Sequence, residues 1–138
     1  MSDGSNSYVA IVDDDESVCR SFGRLLRTNG YQSVTYPSAE AFLHDSKRPH
    51  FDCLVLDLQL AGISGLELSQ RLAAIHDTTP IIFITAQDEP EERSLAEAAG
   101  CIGYFRKNDP GSEILDLIRN TLQESGRGDP TQSSLSNK

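Results

Sequence analysis

Cys53-Leu54-Val55-Leu56-Asp57 is the stretch on which the reading of this chain turns. Four apolar residues in succession, with β-branched Val55 among them, predict a short strand buried on both faces. The strand ends on a carboxylate, and the chain then softens into Leu58-Gln59-Leu60-Ala61-Gly62-Ile63-Ser64-Gly65. An acid at the carboxyl end of a buried parallel strand lies where open α/β sheets hold their ligands. Taken alone, Asp57 reads equally well as a loop acid that caps the following helix. The other strand ends decide between the two.

Working outward, Tyr8-Val9-Ala10-Ile11-Val12 is a second apolar run, and it enters Asp13-Asp14-Asp15-Glu16. Ile81-Ile82-Phe83-Ile84, after Pro80, is a third and ends at Thr85. Cys101-Ile102-Gly103-Tyr104-Phe105-Arg106 is a fourth and ends at Lys107. Tyr31–Tyr36 alternates weakly and carries polar residues, which suits an edge strand. Between these runs the apolar residues recur at helical spacing. Val18, Phe22, Leu25 and Leu26 share a face, with Gly30 as the stop; Ser38 caps a short helix from Ala39 to about Asp45, with Phe42 and Leu43 inward. Leu68, Leu72 and Ile75 form the stripe of a helix from about Gly65 to Ile75. Asp88-Glu89-Pro90-Glu91-Glu92 opens another that stops at Gly100, its acids matched to the positive end of the dipole. Asp109-Pro110 opens the last, lined by Ile114, Leu117, Ile118 and Leu122.

A strand followed by a helix, five times over, predicts an α/β fold with a parallel sheet, helices on both faces and right-handed crossovers. In that layout all strand C-termini share one rim. Asp13, Asp14, Asp57, Thr85 and Lys107 should therefore converge, although they span more than ninety positions.

The totals narrow the function. The 138 residues are one domain's worth, enough to bury roughly two thirds of the unfolded surface. With 12 Lys+Arg against 21 Asp+Glu, a net charge of −9 argues against direct nucleic-acid binding and is compatible with a divalent cation or a basic protein partner. No apolar run approaches membrane-spanning length, and the start of the chain is not signal-like, so a cytoplasmic protein is expected. Cys19, Cys53 and Cys101 are odd in number, far apart and in apolar or helical contexts, which reads as reduced, mostly buried thiols and not a metal site. Residues 1–7 are expected to be a disordered lead-in and 125–138 a polar tail or linker stub.

Three carboxylates within a few ångströms cannot all stay charged without a counter-ion. A hard divalent cation such as Mg²⁺ answers this, with waters or phosphate oxygens completing its shell. Lys107 can neutralise one carboxylate and later hold a phosphoryl oxygen, and Thr85 supplies a hydroxyl donor. Together these parts suit phosphoryl transfer to Asp57, which is mostly positioning and charge neutralisation. Each residue singly has a plainer reading: Asp13 to Glu16 as a dipole-matched helix start, Thr85 as a cap, Lys107 as solvated surface, Tyr104 as half-buried packing. Their coincidence at the strand ends carries the functional reading.

Val12-Asp13-Asp14, Leu56-Asp57, Ile84-Thr85-Ala86 and Tyr104-Phe105-Arg106-Lys107 resemble the receiver domain of bacterial two-component response regulators, over about Tyr8 to Leu122. The resemblance implies a flavodoxin-like sheet of order 2-1-3-4-5 over residues 8–124. It implies that Asp57 accepts a phosphoryl group from a histidine kinase or histidine phosphotransfer protein, and that Asp13, Asp14, Asp57 and the Gln59 backbone carbonyl hold Mg²⁺. Thr85 and Lys107 would contact the phosphoryl group, and Tyr104 would swing inward when Thr85 moves. Tyr36-Pro37-Ser38-Ala39-Glu40-Ala41-Phe42-Leu43 and Gly62-Ile63-Ser64-Gly65-Leu66-Glu67-Leu68 are similar to receivers of the nitrogen-fixation and nitrate-response type.

The chain departs from that pattern at two places. Asn108 follows Lys107 where proline is usual, so the Lys107–Asn108 peptide is expected to be trans, because a cis bond there costs about 2.5–4 kcal/mol. The turn would be displaced and the aim of Lys107 loosened. Leu60-Ala61 replaces Met-Pro, leaving the loop after Asp57 less restrained. Gln59 and Gln87, two residues beyond Asp57 and Thr85, are candidates for positioning the water that removes the phosphoryl group; as exposed polar loop residues they are equally ordinary.

The expected output is a stand-alone receiver, catalysing only its own phosphorylation and dephosphorylation, that switches a protein-binding surface on its fourth helix, fifth strand and fifth helix, with a phosphorylation-dependent dimer possible. The amino-terminal receiver of a DNA-binding regulator and a partner-binding pseudo-receiver are the alternatives. An aspartyl-phosphate hydrolase would want a second acid where Asp57-Leu58-Gln59 has Gln59. A nucleotide or flavin module would want a glycine-rich first turn, and this one is acidic.

Overall fold

The strands form where the apolar runs lie, and alternate side chains along them go to opposite layers. The computed structural model of the chain describes residues 7–124. Its elements run β1 (Tyr8–Val12), α1 (Glu16–Thr28), β2 (Gln32–Tyr36), α2 (Ala39–His44), β3 (Cys53–Asp57), α3 (Gly65–Ala74), β4 (Ile81–Thr85), α4 (Pro90–Ala98), β5 (Gly103–Arg106) and α5 (Gly111–Glu124). All strand pairs are parallel, in the order β2-β1-β3-β4-β5. The order expected from the family resemblance is the one observed, and the polar β2 lies at an edge.

All five residues of β3 are buried. Leu54 and Leu56, with Ala10, Val12 and Phe83, pack against Phe42, Leu68, Leu72 and Ala96, so α2, α3 and α4 cover one face. Cys53 and Val55, with Val9, Ile11, Ile82 and Ile84, pack against Leu26, Ile114, Leu115 and Ile118, so α1 and α5 cover the other. Burial on both faces explains the unbroken apolar runs.

Helix starts and stops follow local chemistry. Asp15 caps α1 by accepting from the Ser17 and Val18 N–H groups, Ser38 caps α2 and Ser64 caps α3. Gly30 and Gly100 stand just past α1 and α4 with φ of 93° and 87°, where a side chain would be strained. Several expectations need correcting. Ile75 ends α3 instead of continuing its inward stripe and is 66% exposed, because the helix stops at Ala74. The fifth strand begins at Gly103 and not Cys101. Ser7, just ahead of β1, is buried, and its carbonyl accepts from the Gln32 N–H. The rest of that lead-in and the tail over 125–138 lie outside the described residues. Of the three thiols, Cys53 is buried while Cys19 and Cys101 are half-buried.

Candidate functional site

Three strand ends meet at one rim. The ladder carries on past β1, where Asp13 N–H donates to Tyr36 O at 3.0 Å. Asp57 closes β3 opposite Ile84, and Lys107 follows β5, its N–H donating to Thr85 O at 2.8 Å. From there the Lys107 side chain crosses the rim. Its Nζ donates to Asp13 Oδ1 and to Asp57 Oδ2, both at 3.0 Å. Residues ninety-four positions apart are thus joined by one ammonium.

The four-residue acidic run divides its labour. Asp15 faces away and caps α1, which is the plain reading of such a run. Asp13 turns into the rim and is buried, and Asp14 remains exposed. One carboxylate oxygen each from Asp13, Asp14 and Asp57 lies within 4.8 Å of the others. Asp13 Oδ2 is buried and has no hydrogen bond, although Lys107 Nζ is 3.0 Å away, because the ammonium is directed at Oδ1. Burial, assisted by the Asp57 charge, lifts the Asp13 carboxyl to about 6 against the pull of the Asp15 N–H and Lys107. Burial would lower the Lys107 pKa, but its hydrogen bonds to Asp57 and Asp13 outweigh that and hold it above the ordinary value.

These residues fit a hard divalent cation. The donors are all oxygen, one carboxylate oxygen is orphaned, and the two buried carboxylates have only Lys107 ion-paired to them among the described residues. Cys19, Cys53 and Cys101 take no part in that cluster.

The remaining candidates are placed as follows. Thr85 is fully buried, and its hydroxyl donates to Gln87 O at 2.8 Å and accepts from Gln87 N–H. Gln59 N–H donates to Asp57 Oδ1 at 3.0 Å, while its side-chain amide turns to Glu92 on α4 at 3.1 Å. The Gln87 side chain is exposed. Tyr104 is half-buried; its hydroxyl donates to Asp88 Oδ1 at 3.2 Å, and the Arg93 guanidinium sits 4.8 Å above its ring while pairing with Asp88.

The turn after β5 corrects one expectation. Every peptide described is trans, Lys107–Asn108 included, yet Lys107 is not loosely aimed. Asp109 stitches the turn: its Oδ2 accepts from Arg106 N–H, its own N–H donates to Arg106 O, and its carboxylate pairs with Arg106 Nε. The loop after Asp57 is likewise held, with Ile63 N–H donating to Glu40 Oε2 at 3.0 Å. Glu40, Glu92, Asp88 and Arg93 had no site role in the sequence reading, where Asp88 and Glu92 were only the acids of a helix start. The same holds for Gly65, where a Cβ would collide with the Asp57 carbonyl oxygen. No spacing rule links these segments, so no local signal existed.

The model of the response regulator receiver domain matches residues 9–119. The chain belongs to that family. Among curated proteins, this receiver is 34% identical over 117 residues to the response regulator protein TmoT of Ectopseudomonas mendocina, covering 85% of this chain and 53% of that one. It is 30% identical over 133 residues to nodulation protein W of Bradyrhizobium diazoefficiens, covering 96% and 59%. Among solved structures, FixJ-N is 31% identical with a TM-score of 0.77, over 89% of this chain and 96% of that one. The response regulator StyR is 38% identical with a TM-score of 0.76, over 95% and 68%. The chain spans about half the length of the first curated relatives it matches, 53% and 54%. Among the described residues no helix is long and apolar enough to cross a membrane.

Proposed function

We propose that this receiver is a phosphoacceptor: Asp57 takes a phosphoryl group from a phosphohistidine of a histidine kinase or histidine phosphotransfer protein. The observation that carries this reading is Lys107 Nζ at 3.0 Å from both Asp13 and Asp57 in a buried acidic rim. Gln59 N–H and Lys107 orient the Asp57 carboxylate through its two oxygens. The attacking oxygen forms the new bond to phosphorus as the phosphorus–nitrogen bond of the donor breaks, and Lys107 balances the charge on the transferred oxygens. Asp13, Asp14, Asp57 and the Gln59 carbonyl would hold Mg²⁺, which when bound supplies charge neutralisation for the incoming phosphoryl group.

The Thr85 hydroxyl and the Tyr104 ring form the switch in this reading, and Tyr104 faces Asp88 at rest. The reading places the chain in the cytoplasm, with catalysis confined to its own phosphorylation and dephosphorylation. Gln87, exposed beside Thr85, is the freer of the two water-positioning candidates, since the Gln59 amide is engaged by Glu92. The identities to FixJ-N and nodulation protein W support the nitrogen-fixation-type subclass. Curated relatives about twice as long favour a second reading of the output, in which the receiver controls a further region of a regulator; sequencing the gene through its stop codon separates it from a stand-alone protein.

The test is incubation with acetyl phosphate and Mg²⁺, followed by intact-mass analysis of the native chain and of Asp57→Asn. The native chain should gain the mass of one phosphoryl group, lose it in hydroxylamine, and gain none in chelator. Phosphorylation of Asp57→Asn at the native level would overturn the assignment.

A further inference from the structure

We propose that Glu40, on α2, is a positioning residue for the phosphoacceptor loop: its carboxylate clamps the backbone at Gly62–Ile63 and so fixes the Gln59 backbone beside Asp57. The proposal rests on the reading of Asp57 as phosphoacceptor, but the clamp itself is a property of the metal-free fold.

One carboxylate oxygen makes both contacts. Oε2 accepts the Ile63 N–H at 3.0 Å. A Cβ built on Gly62 would stand 2.5 Å from the same oxygen and 3.4 Å from Oε1, so the carboxylate lies against a bare Cα. Gly62 also has φ of +76°, a backbone that favours glycine. The φ favours glycine at position 62, and a side chain there would also push the Glu40 carboxylate off the Ile63 N–H.

The rest of the loop shows why a clamp matters. Leu58 N–H is tied to Ile84 O at 2.9 Å and Gln59 N–H to Asp57 Oδ1, and the loop closes where Gly65 N–H reaches Leu58 O at 3.3 Å. Among the described residues, no backbone N–H from Leu60 to Gly62 has a hydrogen bond, and that of Ile63 has only Glu40. The base of the clamp is firm. Ser38 caps α2 at 3.0 Å, and Ala39 and Phe42, on either side of Glu40, are buried. The Ile63 N–H also holds the Glu40 carboxyl below its usual range, as a made hydrogen bond should.

Without the clamp the stretch from Leu60 to Ile63 gains freedom that must be removed again whenever the Gln59 backbone is called on. One lost hydrogen bond of this kind corresponds to about a three- to tenfold effect. Three variants of the full chain test this: Glu40→Ala, Glu40→Gln and Gly62→Ala. The readouts are amide hydrogen exchange in chelator and Mg²⁺ affinity by titration followed by NMR. Glu40→Ala should speed exchange at Ile63 and Gln59 and weaken Mg²⁺ binding about three- to tenfold. Glu40→Gln, whose amide oxygen can accept the same N–H, should restore both. Gly62→Ala should reproduce the alanine phenotype with Glu40 still present.

Unchanged exchange at Gln59 in Glu40→Ala overturns the proposal, and so does failure of Glu40→Gln to rescue, which would point to charge and not to the hydrogen bond. A native chain that binds no Mg²⁺ and accepts no phosphoryl group would defeat the functional reading instead, while the exchange arm in chelator still reports on the clamp.

Discussion

Asp13→Asn should stabilise the metal-free receiver at neutral pH, although it removes one of the two carboxylates paired with Lys107. In the fold the Asp13 carboxyl is lifted from its ordinary 3.8 to about 6, chiefly by burial, so keeping it ionised at pH 7 is unfavourable. The gap between those values corresponds to roughly 3 kcal/mol, as an upper figure for the gain. For a domain of this size that is on the order of 10 °C in Tm. The pH dependence has a defined sign. A raised acid contributes most to stability below 3.8, where both states are protonated, and that contribution is lost as pH rises from 3.8 through about 6. Asn, which does not titrate, escapes the loss. The advantage of the variant should therefore be full at pH 7 and largely gone at pH 4. Urea and thermal unfolding of both chains in chelator at pH 4, 5.5 and 7 measures it. Saturating Mg²⁺ should narrow the gap, because a cation bound only by the folded native site adds stability by mass action. A variant that melts at or below the native chain at pH 7 in chelator refutes the reasoning, as does a gain of the same size at every pH.

Asp88→Ala removes the hydroxyl partner of Tyr104 and the carboxylate that fixes Arg93, so the ring should turn inward more often before phosphorylation, by about two- to tenfold; ring NMR of the unmodified chain reads the population. His76 sits just past α3 with φ of 64°, and His76→Gly should raise stability by about 0.5–1 kcal/mol, read by urea unfolding. Burial pushes the Cys53 thiol up to about 12 and that of Cys19 to about 11. A thiol reagent at pH 8 should therefore leave Cys53 unmodified in the native chain and label it only on unfolding, which peptide mapping shows.

What was legible in the letters and what was not divides along a physical line. Runs such as Cys53–Leu56 and Ile81–Ile84 are readable because a strand buried on both faces admits nothing polar. Asp13, Asp57 and Lys107 were readable as a group because parallel topology places strand C-termini on one rim whatever lies between them. Glu40 on Ile63, Gln59 on Glu92 and Tyr104 on Asp88 link segments 23, 33 and 16 residues apart by single side chains, whose mutual placement no periodicity encodes. Ile75 failed for a simpler reason: its spacing fits the α3 stripe, but the helix ends one residue earlier.

The error over Lys107 shows what a motif comparison cannot weigh. Replacing proline with Asn108 removes a restraint, and from the letters alone a looser turn follows. The restraint reappears at the next residue, in the Asp109 carboxylate that accepts from Arg106 N–H and pairs with its guanidinium. A turn can be fixed by a ring or by a carboxylate, and the second leaves no trace in a pattern that asks only for proline. The same argument covers the loop after Asp57, where Leu60-Ala61 gives up stiffness in the chain and Glu40 returns it from a neighbouring helix. Both substitutes act on backbone that leads directly to the acidic rim. There two buried carboxylates face one ammonium and one carboxylate oxygen has no hydrogen bond. Lys107 and the Asp15 and Gln59 N–H groups hold two carboxylates that would otherwise repel, and Glu40 and Asp109 brace the backbone that carries this arrangement.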